Sequence, residues 1–277
     1  MTTAEAGATP TGGRLPNFLI VGAQKCATRW LRVHLGRHPD IFTAPRELEF
    51  FNNHFDDGVE SYSALFAGAA GKSLLGEATP GYMMWGRGYA ETAARIDQTL
   101  PGVRLLAILR NPVDRAYSAF FHHMARGRID PDADLLETIR GRSPESDRLS
   151  LVSGGWYAAS LEPYIRRFGD RLAVLVQDLP DQSLADVYGA AVAHLGADRS
   201  FAPQDLGTVL FSTGETLLKG TARLDKGGRR MPLSADERRV LAEYFEEDIE
   251  RLQSLIGLDL SHWSSQEPGP STGAART

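Results

Sequence analysis

One cysteine, Cys26, stands in 277 residues, so no internal disulfide can form and the composition suits a reducing compartment. Positive charge is also in short supply. The formal net charge of -5 excludes a general nucleic-acid binder, whose partner demands a basic excess. Long apolar runs are missing too: no stretch approaches the ~18–20 residues that span a bilayer, so no membrane insertion is expected. Met1 to Arg14 holds Thr, Ala, Gly and Pro but no apolar h-region, so no secretory leader is expected and a cytoplasmic location is. No repeat at a solenoid period is present. No polar or Pro-rich linker divides the middle, so a single domain is expected over residues 16–263. Residues 1–15 and the Ser/Gly/Pro/Ala-rich residues 264–277 read as disordered tails.

What is present is an alternation of short apolar strands and helices. Asn17–Val21, Leu74–Leu75, Val103–Leu109 and Leu172–Val176 read as buried strands. Thr28–Gly36, Val113–Met124, Ala159–Phe168 and Leu184–Leu195 read as helices. Asn111 is placed to cap the second of these, with Pro112 at its first turn. Ser234-x-x-Glu237 is a capping box before a last helix with the stripe Leu241, Phe245, Ile249, Leu252 and Ile256. The pattern predicts an α/β fold: a single domain with a central, mostly parallel sheet flanked by helices. Ligands of such folds lie beyond the carboxyl ends of the strands.

Two of those strand ends carry chemistry. The first is Gly22-Ala23-Gln24-Lys25-Cys26-Ala27-Thr28-Arg29, where a strand enters and a helix leaves. Helix-start N–H groups and the helix dipole attract an anion there, Lys25 adds a full charge and Thr28 a hydroxyl. The same segment also reads as an ordinary strand–helix turn with a surface lysine. It lacks the Gly-Lys-[Ser/Thr] ending of a Walker A loop. Gly71-Lys72-Ser73 has that ending, but Phe66 stands where the required glycine belongs and the segment precedes a strand instead of following one. The second end is Leu109-Arg110-Asn111-Pro112. Arg110 presents a guanidinium fork suited to a phosphate, and Asp114, Ser118 and His122 fall at i, i+4, i+8 on the helix that follows. A solvated amphipathic helix with a capping Asp114 explains the same spacing.

Taken together, these residues resemble the PAPS-dependent sulfotransferases (PAPS is 3′-phosphoadenosine 5′-phosphosulfate), in particular the bacterial and Golgi-type carbohydrate enzymes, among them those acting on heparan sulfate. Gln24, Lys25, Cys26, Ala27, Thr28 and Arg29 fall on the family's 5′-phosphosulfate loop, and Arg110 and Ser118 on its 3′-phosphate motif. Glu47-x-x-Phe50-Phe51 is similar to the segment carrying the family's general base, and Gly76-Glu77-Ala78-Thr79-Pro80-x-Tyr82 to another family block. Tyr157 and the loop Lys226, Gly227, Gly228, Arg229 match too, so the resemblance runs from about Asn17 to Trp263. It implies a P-loop-like sulfotransferase fold, PAPS as co-substrate and no metal. It also implies a small-molecule or saccharide acceptor, with Lys25 at the leaving oxygen and Glu47 as general base. Glu49 is the local rival, on the opposite side if the segment is extended, and His122 is a third candidate. Phe50, Tyr82, Glu47 and His122 are expected near the acceptor, and Tyr157 near the donor nucleotide. His123 is expected to pack or face solvent, and Cys26 to be chemically passive. Ala27 departs from the family's usual glycine, and Ala78 stands where several heparan-type enzymes carry lysine, which points the acceptor away from heparan. Two alternatives remain at this point: a phosphoryl-transfer enzyme of kinase type, or a nucleotide-binding module without catalysis.

Overall fold

The computed structural model describes residues 13–86, 88–140, 147–207 and 231–264. Along the chain run β1 (Phe18–Gly22), α1 (Thr28–Leu35), β2 (Ile41–Thr43), α2 (Phe50–Asn53), α3 (Val59–Ala64), β3 (Leu74–Ala78), α4 (Tyr89–Thr99) and β4 (Arg104–Leu109). They are followed by α5 (Pro112–Met124), α6 (Leu135–Arg140), α7 (Tyr157–Phe168), β5 (Leu172–Val176), α8 (Leu184–Leu195), α9 (Ala235–Glu243) and α10 (Glu246–Ile256). The five strands form one sheet in the order β2-β3-β1-β4-β5, and every neighbouring pair is parallel. All five residues of β1 are buried, as a central strand covered on both faces must be.

Two apolar layers cover the sheet. On one face, Trp30, Leu31 and Leu35 of α1 pack with Val187, Tyr188 and Val192 of α8. The other face carries α4, α5, α7 and α10 through Ile96, Phe120, Leu161 and Leu252. This division matters for the site. The helix after β1 lies on one face and leads toward β2, whereas the helix after β4 lies on the other and leads toward β5. The chain thus reverses direction between β1 and β4, and a crevice opens beyond their carboxyl ends.

The capping chemistry read from the sequence is present. Asn111 Oδ1 accepts from the Val113 N–H at 2.9 Å, Pro112 occupies the first turn of α5, and Ser234 with Glu237 closes a capping box. Several elements differ from expectation. β2 is only three residues long, too short to show a period. The strand expected at Leu74–Leu75 continues to Ala78. α4 buries Thr92, Ala93 and Ile96, and such small and polar residues give little hydrophobic pattern. The stripe from Leu241 to Ile256 belongs to two helices, because the chain breaks at Tyr244–Phe245 and Phe245 plugs the core at the junction. Arg14 and Leu15, assigned to the N-terminal tail, lie against the domain: Arg14 Nη1 donates to the Lys72 carbonyl at 2.6 Å and Leu15 packs on the core. No helix among the described residues is long and apolar enough to cross a membrane.

Candidate active site

The two strand ends singled out in the sequence meet at the crevice. β1 and β4 are neighbours, and the Ala23 N–H donates to the Ile108 carbonyl at 2.8 Å, which ties the first loop to the second strand. Gly22 is required by close approach, since a Cβ there would sit 2.1 Å from the Met83 side chain. Lys25 and Ala27 both take left-handed backbone, with φ of 68° and 61°, so the chain turns sharply into α1. No side chain caps α1 and its first turn holds no acidic residue, which leaves its N-terminal N–H groups and dipole directed at the crevice. Among the described residues, Arg110 Nε and Gln24 Oε1 are buried without a hydrogen-bond partner. Buried polar atoms without partners are costly, and two of them beside an uncapped helix start fit an anionic, hydrogen-bonding ligand.

Tyr157 joins the two corners. Its hydroxyl donates to the Arg110 carbonyl at 3.0 Å and lies 3.2 Å from Cys26 Sγ. With about 1% of its surface exposed, Tyr157 braces the site from behind and does not line it, contrary to the expected contact with the nucleotide. Burial pushes the Cys26 thiol up to about 11, so it remains protonated and inert near neutral pH. Asp178, just past β5, fixes the second corner from the other side: it accepts from the Asn111 N–H at 2.7 Å and from Trp263 Nε1 at 3.1 Å.

Glu47 stands at the junction of two cavities. One, of about 260 Å³, is lined by Thr28, Arg29, Arg32, Pro45, Arg46, Glu47 and Ala78. The other, of about 110 Å³, is lined by Gln24, Glu47, Glu49, Asn52, Asn53, Pro80, Gly81 and Met84. Glu47 is exposed by area, yet the concave walls strip enough water from its carboxyl to raise its pKa, and Glu49 raises it further. Arg126, Arg32 and Lys25 oppose that rise. His122 is pushed down to about 3, first by loss of hydration and then by Lys25 and Arg126. Its imidazole is therefore neutral at physiological pH. Lys25 acts electrostatically on both Glu47 and His122, so the loop after β1, the segment after β2 and α5 bring these three residues within electrostatic range of one another.

The expected opposition of Glu47 and Glu49 is not found. Glu49 takes left-handed backbone at φ 53°, so the segment turns instead of extending, and both carboxylates line the smaller cavity. Glu49 Oε2 is engaged by Asn53 Nδ2 at 2.7 Å. Asp114 does not share the direction of His122, because it pairs with Arg238 of α9 at 2.9 Å. Steps of four residues advance about 40° beyond a full turn, which spreads Asp114, Ser118 and His122 around the helix. Ser118 is half-buried on α5, and neither cavity is lined by it, Arg110 or His122. Phe50 and Tyr82 are core residues instead of acceptor contacts: Phe50 stacks on Tyr62 with ring centroids 4.2 Å apart, and Tyr82 is fully buried with its hydroxyl on Glu77 at 2.6 Å. His123 is buried beside Phe121 and Met124 on α5, not solvent-facing. Lys226, Gly227, Gly228 and Arg229 lie outside the described residues. No group of three or more His, Cys, Asp and Glu suited to a metal occurs among the described residues.

Sequence reasoning missed Arg32 and Arg126, whose positions near Glu47 depend on folding, and also Arg46, its neighbour in the chain, and Asp178, whose place just past a strand end was a usable signal. It also left Glu77 as one letter of a motif. Glu77 is fully buried on β3 and accepts hydroxyl hydrogen bonds from Tyr82, Thr79 and Tyr62. Burial pushes its carboxyl up to about 7, against the pull of those three bonds. The folded chain thus holds this proton more tightly than the unfolded chain, whose carboxyl titrates near 4.5. The stability it contributes is full below that value and is lost as pH rises through about 7. Glu77→Gln, neutral at every pH, should gain in thermal midpoint relative to the native chain between about pH 5 and about pH 8, as calorimetry at both values would show.

The fold and the crevice define a P-loop-like α/β domain with cationic corners at adjoining strand ends. No family model matches the chain. A solved sulfotransferase from Alicyclobacillus acidocaldarius superimposes with a TM-score of 0.71 at 28% identity, covering 91% of this chain and all of that one, 100%. Heparan sulfate glucosamine 3-O-sulfotransferase 6 of Mus musculus is 31% identical over 57% of this chain and 45% of its own length. Bifunctional heparan sulfate N-deacetylase/N-sulfotransferase 1 of Mus musculus is 27% identical over 93% of this chain and 32% of its own. The chain therefore spans less than half the length of these curated relatives. The chain is thus similar to sulfotransferases in sequence and in fold, and these curated relatives are of the heparan sulfate type.

Proposed function

We propose that this chain transfers a sulfuryl group from PAPS to a hydroxyl of a small-molecule or saccharide acceptor, giving a sulfate ester and 3′-phosphoadenosine 5′-phosphate. The observation that carries the reading is the convergence of Lys25, Glu47 and His122 beside the uncapped start of α1, with the buried Arg110 Nε awaiting a partner. The first loop, through Gln24 to Arg29, and Arg110 with Ser118 hold the two phosphate ends of the donor. The acceptor oxygen attacks sulfur in line with the departing phosphate oxygen. Glu47 takes the acceptor proton, Lys25 meets the charge that builds on the leaving oxygen, and neutral His122 hydrogen-bonds at the reacting centre. All bonds are accounted for: one S–O bond forms, one breaks, and the proton passes to Glu47.

Arg32 and Arg46 in the larger cavity favour an acceptor with an anionic substituent near the hydroxyl. A cytoplasmic setting, where the buried thiol stays reduced, and a role in secondary metabolism complete the reading. The test has two arms. 3′-Phosphoadenosine 5′-phosphate should raise the thermal midpoint while ATP and AMP do not, and labelled sulfuryl from PAPS should pass into an acceptor found by mass analysis of a cell extract. Stabilisation by ATP alone would favour phosphoryl transfer instead. Nucleotide binding without any transfer would leave a binding module.

A further inference from the structure

The buried Glu77 has no part in the chemistry just described, yet it is built into the site. Its carboxylate has no cationic partner among the described contacts. It accepts from Tyr82 Oη at 2.6 Å and Tyr62 Oη at 3.3 Å on Oε1, and from Thr79 Oγ1 at 2.7 Å on Oε2. Hydrogen bonds to a charged acceptor offset only part of what burying a carboxylate costs. A leucine at this position avoids that cost altogether, so stability alone does not explain the residue.

The hydrogen-bond inventory of Thr79 does. A hydroxyl has one proton and two lone pairs. Thr79 gives its proton to Glu77 and receives two backbone N–H groups, those of Leu48 and Glu49, each at 3.1 Å. Tyr82, likewise committed to Glu77, receives the Phe51 N–H at 3.5 Å. The backbone from Leu48 to Phe51 thus hangs on hydroxyls whose lone pairs face it only because their protons are taken by the carboxylate. That same stretch contains the left-handed turn at Glu49 that directs both Glu47 and Glu49 into the smaller cavity.

We propose that Glu77 is a positioning residue for Glu47, acting through the Thr79 hydroxyl to hold the turn that aims the Glu47 carboxylate into the cleft. The inference builds on the sulfuryl-transfer reading with Glu47 as base, but its physical core is testable apart from turnover. Thr79→Val keeps the shape and removes the link. Amide hydrogen exchange should then accelerate about tenfold or more at Leu48 and Glu49, while the β1 and β4 amides stay protected. Unchanged protection at those two amides would overturn the proposal even in a chain that transferred nothing.

In the active chain, Thr79→Val should lower kcat about 10–100-fold, because small misplacements of a reacting group cost that much, with affinity for 3′-phosphoadenosine 5′-phosphate unchanged. Thr79→Ser should restore both exchange protection and kcat. Glu77→Gln should lower kcat by a smaller factor and add nothing in the Thr79→Val background, since both changes cut one chain. Independent, multiplying losses, or a parallel loss of nucleotide affinity, would mean that the cluster only supports the fold, and the proposal would fail.

Discussion

Lys25→Ala is expected to lower turnover about 10²–10³-fold with a far smaller change in nucleotide affinity. The loss is this large because a charged donor already in place at the leaving oxygen needs no reorganisation as charge develops. The backbone at Lys25 is left-handed, at φ 68°, so an alanine there adds strain of its own. Lys25→Gly removes the charge while suiting that backbone, and it should lose the same turnover without the strain. A second signature is electrostatic. Lys25 pulls the pKa of both Glu47 and His122 down, so either substitution should let both rise. Single-turnover transfer with a pH profile reads both effects. Near-normal transfer by Lys25→Gly would remove Lys25 from the leaving-group role.

Glu47→Gln should lower kcat/KM by about 10²–10⁴-fold, the usual contribution of a positioned general base. The sign of the pH dependence follows from its surroundings. Burial and Glu49 hold the Glu47 carboxyl above the ordinary 4.5, so it stays protonated over a wider acid range and the rate falls as pH drops through that raised value. Glu49→Gln removes the second cause and should move the acid limb to lower pH while costing much less turnover. If Glu47→Gln transferred normally and Glu49→Gln did not, the base would be Glu49. His122, pushed down to about 3 by loss of hydration and by Lys25 and Arg126, would place its acid limb well below that of Glu47.

How far each part was legible depends on the range of the interaction that defines it. β1, β4, β5 and α8 were readable because apolar runs and capping residues are local signals. β2 and α4 were not, since three residues show no period and the buried face of α4, Thr92, Ala93 and Ile96, has a single large apolar residue. The first loop and the Arg110 corner were legible for the same local reason: a charge follows a strand and precedes a helix. Phe50 and Tyr82 misled because an aromatic in a motif looks the same whether it lines a cleft or fills the core. Only the stacking on Tyr62 and the bond to Glu77 distinguish the two.

The sequence by itself determined the alternating α/β architecture, the loop carrying Lys25, the strand end carrying Arg110 and the segment carrying Glu47. Each depends on residues adjacent along the chain. Tertiary structure alone decided that these segments face one crevice, through the order β2-β3-β1-β4-β5 and the Tyr157 brace across 131 residues to Cys26. It also decided that Glu47 and Glu49 share a cavity, that arginines from α1 and the segment after β2 line a second cavity with Glu47, and that Glu77 is buried behind the segment that carries them. Hydrogen bonds and electrostatic fields act across space, and no spacing along a chain encodes which distant groups a fold will bring within their reach.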